Sequence, residues 1–307
     1  MFRILLITAF FSLLPHILGI SQAYAFFYFQ EEPAKNDEQE NATKDGSEKL
    51  QRSDIKIARP ISTFEQQKQD LNHYLSKDKV ELLKAGDSEY TLIKGTSSTK
   101  NDKGVAILIP DWQQGLTNPK ALNFLREELP NHGWATLSIQ PPNKPKGYPS
   151  LASTQSELAE QNKAALMPYK NELKSLMMEV MKKARDYPGI FLVVTQGSQA
   201  AMLIDLYKDN EDLQPTAFVI LSASMYSPME NDTFAYNIAV SQLPILDLVL
   251  KRDSRLVLEN AVLRKKYTTK ELKVFYRQKT LSNIIPGYYP EQTLITEING
   301  WLKTIGW

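Results

Sequence analysis

The chain turns from an apolar strand into a helix within Phe191-Leu192-Val193-Val194-Thr195-Gln196-Gly197-Ser198-Gln199-Ala200-Ala201. A continuous apolar run of this kind is typical of a strand that is covered on both faces of a sheet. Gly197 follows the run closely, and glycine adopts positive φ without steric strain. The stretch therefore predicts a buried strand, a sharp turn and a helix.

The same alternation extends in both directions from this stretch. Two short alternating runs come first, and longer apolar runs separated by helix-like segments follow them. The predicted strands are 80–84, 90–94, 105–109, 134–139, 190–194, 217–221, 245–250 and 272–277. The predicted helices are 62–76, 119–129, 168–185, 199–208, 254–267 and 290–304. This order predicts an α/β fold, with a mostly parallel, twisted sheet of about eight strands and helices on both faces.

The first 25 residues resemble a secretory signal peptide. Arg3 gives a positive start, residues 4–20 are mostly apolar, and Ala23-Tyr24-Ala25 offers small residues at a cleavage site. An uncleaved membrane anchor is the alternative, but the run is short for a bilayer span and contains Pro15. We therefore expect residues 1–25 to be removed, and the mature protein to be periplasmic or secreted.

Charge and cysteine content exclude several kinds of partner and site. Removing residues 1–25 takes away one of 36 basic residues and none of 35 acidic residues, which leaves no net charge. We expect no nucleic-acid partner and no transmembrane span after signal removal. The chain has no cysteine, so it has no disulfide and no thiolate metal site. No phosphate-binding or dinucleotide motif is present, so we expect no cofactor and no metal.

A polar segment separates the signal peptide from the rest of the chain. Residues 26–59 are mostly charged and polar and have little to bury, which predicts a disordered tether. An acidic docking segment is the alternative, but both signs of charge are mixed there. We expect residues 60–307 to form a single domain.

Five local patterns resemble the α/β-hydrolase fold. Ile107 to Trp112 resembles a strand with its oxyanion loop, and His132 to Leu137 resembles the start of the following strand. Phe191 to Ala201 stands where the nucleophile elbow belongs, and Leu243 to Leu246 with Asp253 has the spacing of the strand that carries the triad acid. Ile285-Pro286-Gly287-Tyr288-Tyr289 with its following helix resembles the segment that carries the catalytic histidine.

The chain is still more similar to an uncharacterised family of exported bacterial proteins with a hydrolase-like core. Two further patterns carry that similarity: Leu243-Pro244-Ile245-Leu246-Asp247 and Tyr276-Arg277-Gln278. This resemblance implies a fold and a compartment, and it implies no particular reaction.

The elbow allows two registers. If Ser198 were the nucleophile, Gln196 would fill a position that requires a small residue, although Ala200 and Ala201 would fit. If Gly197 occupies the nucleophile position, Gln199 is bulky, but the apolar run ends three residues earlier, as the elbow requires. We favour Gly197, which leaves the elbow without a nucleophile.

A catalytic base is also missing from the expected position. His132 precedes the strand at 134–139 and so lies at the wrong edge of the sheet, because active sites of open α/β sheets lie beyond the carboxyl ends of strands. His73 belongs to the first predicted helix. Tyr288 and Tyr289 stand near the position of the usual histidine, and tyrosine is a poor base at neutral pH.

Two aspartates complete the candidate cleft. Asp111 falls in the oxyanion loop, where a carboxylate would repel a developing anion unless it faces solvent. Asp253 has the spacing of the triad acid, but it could instead cap the helix that begins near Ser254 or form a buried ion pair with Arg277. Trp112 and Tyr148 could stack on a ligand or pack in the core.

Three hypotheses follow. The first is a cell-envelope pseudoenzyme that binds a small molecule or docks a protein partner in its cleft. The second is a serine hydrolase of the esterase or amidase type that uses Ser198 and Asp253 with a base other than histidine. The third is a structural protein with a collapsed cleft.

Overall fold

The computed structural model describes residues 61, 63–76, 79–112 and 114–307. These residues belong to one compact unit, Arg59–Trp307. The predicted signal peptide, 1–25, and the predicted tether, 26–59, lie outside the described residues. Within the described part of the chain, no helix is both long and apolar enough to cross a bilayer.

Eight strands form one twisted sheet, as the sequence predicted. They are β1 (Val80–Ala85), β2 (Ser88–Gly95), β3 (Gly104–Ile109), β4 (Trp134–Ile139), β5 (Ile190–Gln196), β6 (Ala217–Leu221), β7 (Ile245–Leu250) and β8 (Tyr276–Leu281). Their spatial order is β1-β2-β4-β3-β5-β6-β7-β8. β2 pairs antiparallel with β1 and β4, and all the other pairs are parallel.

Seven α-helices are described. They are α1 (Thr63–Tyr74), α2 (Ala121–Glu128), α3 (Gln155–Ala184), α4 (Ser198–Asp209), α5 (Pro228–Val240), α6 (Arg255–Lys270) and α7 (Glu291–Thr304). α3, α4 and α5 contribute Leu173, Leu203 and Phe234 to the core on one face of the sheet. α2 and α7 contribute Leu125 and Trp301 to the core on the other face. Both sheet faces are therefore covered, which explains why β3, β4, β6 and β7 are buried at every position.

Two helices differ from the sequence prediction. α3 begins at Gln155 rather than at Pro168, because Thr154 caps it by accepting the Glu157 N–H at 3.3 Å, and Pro168 lies inside the helix. α5 was not predicted at all. Its start is fixed by a capping box: the Ser227 side chain accepts the backbone N–H of Glu230, and the Glu230 side chain accepts the backbone N–H of Ser227.

The last strand was predicted at 272–277 and begins four residues later, at Tyr276. The apolar Leu272 and Val274 that suggested a buried strand are exposed. β8 is an edge strand with a polar sequence, and Tyr276 and Gln278 hydrogen-bond to Asp247 of β7. Apolar composition was therefore misleading at this edge of the sheet.

Parallel strands bring their carboxyl ends to one edge of the sheet. The loops that follow β3, β5, β6 and β7 there carry Asp111, Gly197, Ser222 and Asp253. Ligand sites of open α/β folds lie at this edge. These four residues all line one cavity, described below.

Candidate functional site

The turn between β5 and α4 is centred on Gly197, which has φ 63° and ψ −136°. An L-residue rarely adopts such a conformation, whereas the sharp strand-to-helix turn requires it. Ser198 is already the first residue of α4, is buried, and donates its hydroxyl proton to the Ser224 carbonyl at 3.2 Å. The residue at the tip of the elbow therefore has no side chain.

The Asp111 carboxylate occupies the space beside Gly197. A Cβ atom added to Gly197 would lie 2.8 Å from both Cγ and Oδ2 of Asp111, closer than real contacts allow. The backbone N–H groups of Trp112, Ser198 and Gln199 lie close enough to the Asp111 carboxylate to lower its pKa. The elbow can hold this carboxylate because it has glycine at its tip.

Burial and hydrogen bonding oppose one another at Asp111. Burial raises its pKa to about 6, although the three backbone N–H groups and the charge of Lys144 lower it. The first N–H groups of a helix carry a partial positive charge and attract anions. In a serine hydrolase, the N–H of the residue after the nucleophile stabilises the oxyanion. Here the corresponding N–H, that of Ser198, lies beside the Asp111 carboxylate and lowers its pKa.

Asp253 has neither of the partners that the sequence suggested. Its carboxylate accepts the Ser222 hydroxyl at 2.5 Å and the backbone N–H groups of Ser254 at 3.0 Å and Leu250 at 3.3 Å. The predicted Asp253–Arg277 ion pair is wrong, because Arg277 is exposed on the edge strand. The helix cap of α6 is the Ser254 side chain, which accepts the Val257 N–H at 3.3 Å, and not Asp253.

Ser222 is a site residue that the sequence analysis missed. It directly follows β6 and has φ 46°, which is uncommon for a residue other than glycine and costs on the order of 1–3 kcal/mol. The hydroxyl of Tyr289 lies 2.6 Å from its Oγ and 2.9 Å from the Leu248 carbonyl oxygen. The only available signal was a serine after a buried strand, which is too common to be selected.

The two tyrosines of the histidine position have different environments. Tyr289 is buried, and burial raises the pKa of its hydroxyl well above the usual value. It fills the space between Ser222 and β7 as a hydrogen-bonding core residue. Tyr288 is exposed, with the Lys120 ammonium 5.9 Å from its ring centroid.

These residues surround a cavity of about 260 Å³. Its lining has two carboxylates, several hydroxyls and no basic side chain: Asp111, Gln114, Gln196, Gly197, Ser198, Ser222, Ser224, Met225, Tyr226, Asp253, Ser254, Leu256 and Val257. Asp111 Oδ1 and Gln196 Oε1 are buried without a hydrogen-bond partner among the described residues. Because buried polar atoms are normally paired, these two oxygens mark a polar wall of the cavity that the described residues leave incomplete.

A protein-family model described as "Protein of unknown function (DUF3530)" matches residues 13–304. The chain belongs to the DUF3530 family. No curated protein sequence matches it.

Solved structures similar to this family member have the α/β-hydrolase fold. An α/β serine hydrolase homologue from Coxiella burnetii is 12% identical with a TM-score of 0.51, and the match covers 76% of this chain and all of that one. Est1E from Butyrivibrio proteoclasticus is 11% identical with a TM-score of 0.51, covering 73% and 99% of the two chains. Dienelactone hydrolase from Anabaena variabilis is 11% identical with a TM-score of 0.51, covering 73% and 94%. These similarities establish the fold.

Two sequence patterns quoted above, Leu243 to Asp247 and Tyr276 to Gln278, contribute side chains to one buried polar cluster. The Asp247 carboxylate in β7 accepts hydrogen bonds from Nε of Arg264 at 2.7 Å and from Nη2 at 3.0 Å. Both side chains are 0% exposed. The Tyr276 hydroxyl and the Gln278 amide also donate to Asp247, at 2.6 and 2.8 Å. Arg264 was missed, because it lies in a charged stretch of helix and nothing in its spacing indicates a partner in β7.

The aromatic residues near the cleft divide into packing and lining groups. Trp112 and Tyr148 are buried and pack edge to face, with ring centroids 5.6 Å apart. Tyr148 also donates to Glu230 at 2.9 Å, and the buried Tyr169 hydrogen-bonds to Gln199. Tyr226 is exposed and lines the cavity, so it is the aromatic ring available to a ligand.

Neither His73 nor His132, the two histidines within the described part of the chain, belongs to the cleft lining. His132 lies just before β4 and contacts Glu128 at 3.2 Å, at the edge of the sheet that the sequence predicted. His73 is on α1. Among the described residues, no group of three or more His, Asp or Glu side chains could hold a metal ion.

Proposed function

We propose that this protein binds a small molecule in the cleft at the carboxyl edge of its sheet and that the elbow performs no acyl transfer. The observation that carries this proposal is the contact between Gly197 and Asp111. The tip of the elbow has no nucleophilic atom, and the Asp111 carboxylate lies beside it, near the N–H groups of Ser198 and Gln199. An oxyanion would have to displace that carboxylate or form beside its charge.

The cavity supports a binding function over a purely structural one. Its volume of about 260 Å³ is large enough for a small metabolite, and a collapsed cleft would leave no such space. Polar groups converge on it from four loops. The partner in this proposal is a small molecule rather than an envelope protein, because the cavity is concave and polar.

A serine hydrolase is the second candidate, and the comparisons favour it over a pseudoenzyme. The similar structures include an esterase and a dienelactone hydrolase. Within this chain, Ser198 lies at the elbow but bonds to a carbonyl, whereas Ser222 contacts Asp253 directly. A hydrolase would therefore use Ser222 with Asp253 more readily than Ser198, with the carboxylate as the proton acceptor.

Covalent labelling separates the two candidates. The full-length protein, Ser198→Ala and Ser222→Ala are incubated with a fluorophosphonate probe and examined by intact-mass spectrometry. Under the binding proposal none of the three is labelled, while each unfolds at a normal temperature. Labelling that disappears in Ser222→Ala or in Ser198→Ala identifies a reactive serine and overturns the proposal.

We also propose that the protein acts in the cell envelope after export. The signal-like residues 1–25 support this proposal. Mass spectrometry of the native protein should find an N-terminus at Phe26. A mature envelope pool that retains Met1 would contradict cleavage.

A further inference from the structure

A second surface stands out at the edge of the sheet opposite the cleft. The segment 271–275 connects the end of α6 to the start of β8 and exposes three apolar side chains. Leu272 is 82% exposed, Val274 81% and Phe275 52%. Val240, at the end of α5, is exposed beside them, and residues 239–242 and 271–275 line one shallow cavity. We call these two segments and the C-terminal half of α6 the basic apolar patch.

The charge of this patch is strongly positive. Residues 265–275 contain Lys265, Lys266, Lys270 and Lys273 and a single acid, Glu271. Lys265, Lys266 and Lys270 are exposed, and Lys273 is held between helices by its bonds to the carbonyl and hydroxyl of Ser241. The net charge of these 11 residues is therefore +3, whereas the whole chain carries only +1.

The backbone exposes Leu272 at the turn that ends α6. Leu272 has φ 51°, the left-handed conformation that is common for the residue after a helix cap. The backbone N–H groups of Leu272 and Lys273 complete this helix ending by donating to the carbonyls of Thr269 at 3.3 Å and Thr268 at 3.0 Å. The helix ending therefore fixes Leu272 in its exposed position.

From the exposed apolar side chains and the excess of lysine we infer that the basic apolar patch binds the surface of a bilayer that contains anionic lipids. Leu272, Val274 and Phe275 would enter the boundary between headgroups and acyl chains, and the lysines would contact lipid phosphates. A protein partner fits less well, because protein interfaces are depleted in lysine. The cleft lies at the opposite edge of the sheet and so remains open to solvent in this orientation.

The cysteine-free sequence gives a site-specific test. Val274→Cys carries an environment-sensitive fluorophore in the full-length protein, and Leu151→Cys is the matched control, because Leu151 is a 97% exposed aliphatic residue outside the patch. Each is titrated with vesicles of phosphatidylglycerol and phosphatidylethanolamine in equal parts. We expect the fluorophore at 274 to brighten and shift to shorter wavelength and the fluorophore at 151 to stay unchanged.

The contribution of charge is tested in the same assay. The triple variant Lys265→Gln, Lys266→Gln, Lys270→Gln in the Val274→Cys background should need roughly a hundredfold more lipid, since each lysine near an anionic surface contributes about fivefold. Vesicles of phosphatidylcholine alone should give little response in the unsubstituted patch.

Several results would overturn the inference. Equal responses at 151 and 274 would mean that another segment, such as the apolar residues 4–20, brings the protein to the vesicle. No response at 274, or an undiminished response in the triple variant, would also contradict it. A response at 274 that depends on protein concentration without lipid would identify a contact between two copies of the chain instead.

Discussion

Two aspartates, one inside the sheet and one at its edge, have opposite kinds of environment. Asp247 lies inside β7 and is neutralised by Arg264, with Tyr276 and Gln278 as additional donors. Asp111 lies beyond the end of β3, near backbone N–H groups and the charge of Lys144, and its Oδ1 has no hydrogen-bond partner among the described residues. The first arrangement is complete and the second is not.

This difference indicates which region of the molecule can bind other molecules. A fully paired buried carboxylate fixes the packing of α6 and β8 against β7 and has nothing left to offer a ligand. A carboxylate with a free oxygen next to a cavity keeps a site polar at some cost in stability. We therefore interpret the Asp247 cluster as structural and the Asp111 region as functional.

The largest expected effect comes from breaking the complete arrangement. Arg264→Leu leaves the charge of Asp247 buried without its partner, and it should lower the free energy of unfolding by about 3–5 kcal/mol. Urea denaturation followed by circular dichroism measures this loss.

Arg255→Leu is the matched control for that measurement. Arg255 forms an exposed pair with Glu259 at 2.6 Å on the same helix, and pairs of this kind contribute little. We expect no measurable change from it. A similar cost for both arginine variants would contradict the interpretation that the Asp247 cluster is structural.

The second effect depends on pH. Because the folded-state pKa of Asp111 is raised to about 6, from an ordinary value of 3.8, the folded state binds this proton more tightly than the unfolded state. The stabilisation is complete below pH 3.8 and is lost as the pH rises through 6. The loss should be on the order of 3 kcal/mol.

Asp111→Asn removes this dependence while keeping the side chain's shape. The unfolding free energies of the two proteins should therefore diverge between pH 4 and pH 7, with the variant gaining relative to the original as the pH rises. A difference that is constant with pH would mean that Asp111 titrates normally and is not desolvated.

The third effect tests the contact between Gly197 and Asp111. Gly197→Ala forces alanine into a left-handed conformation and against the carboxylate, so it should cost about 1–2 kcal/mol more than Ser198→Ala. In an Asp111→Ala background the clash with the carboxylate is removed, so the destabilisation caused by Gly197→Ala should be smaller. Thermal unfolding of the four members of this double-mutant cycle measures the coupling, and strictly additive costs would show that the two residues do not touch.

The smallest effect concerns Asp253, the other aspartate at the carboxyl edge of the sheet. Arg277→Ala should change the unfolding free energy by less than about 0.5 kcal/mol, because Asp253 is bonded to Ser222 and two backbone N–H groups instead. If Arg277→Ala lowered the free energy of unfolding by more than about 2 kcal/mol in chemical denaturation, the result would support the Asp253–Arg277 ion pair that the sequence suggested.

The success of the sequence prediction depended on how local each signal was. The Gly197 register could be predicted, because strand length and glycine's conformational freedom are properties of one short stretch. The central parallel strands were predictable for the same reason, since continuous apolar runs indicate burial on both faces. The segment 272–275, which is apolar except for Lys273, suggested a strand at the sheet edge, and there the apolar residues were misleading.

Contacts between distant segments were beyond this kind of prediction. Arg264 and Asp247 are 17 residues apart on a helix and a strand, and their pairing depends on how α6 packs on the sheet. Ser222 meets Asp253 and Tyr289 across 31 and 67 residues. Nothing in the local sequence identifies such partners, so the predicted partner of Asp253 was the wrong one.

The closeness of Gly197 to Asp111 also restricts how this family can vary. A serine at position 197 would place its Cβ within 2.8 Å of the carboxylate, so a nucleophile could be introduced only after position 111 had become smaller. The two positions should therefore change together among homologues: small residues at 111 where 197 carries a side chain, and glycine at 197 where 111 is acidic. Between those two states, an evolutionary path through single substitutions must begin at position 111.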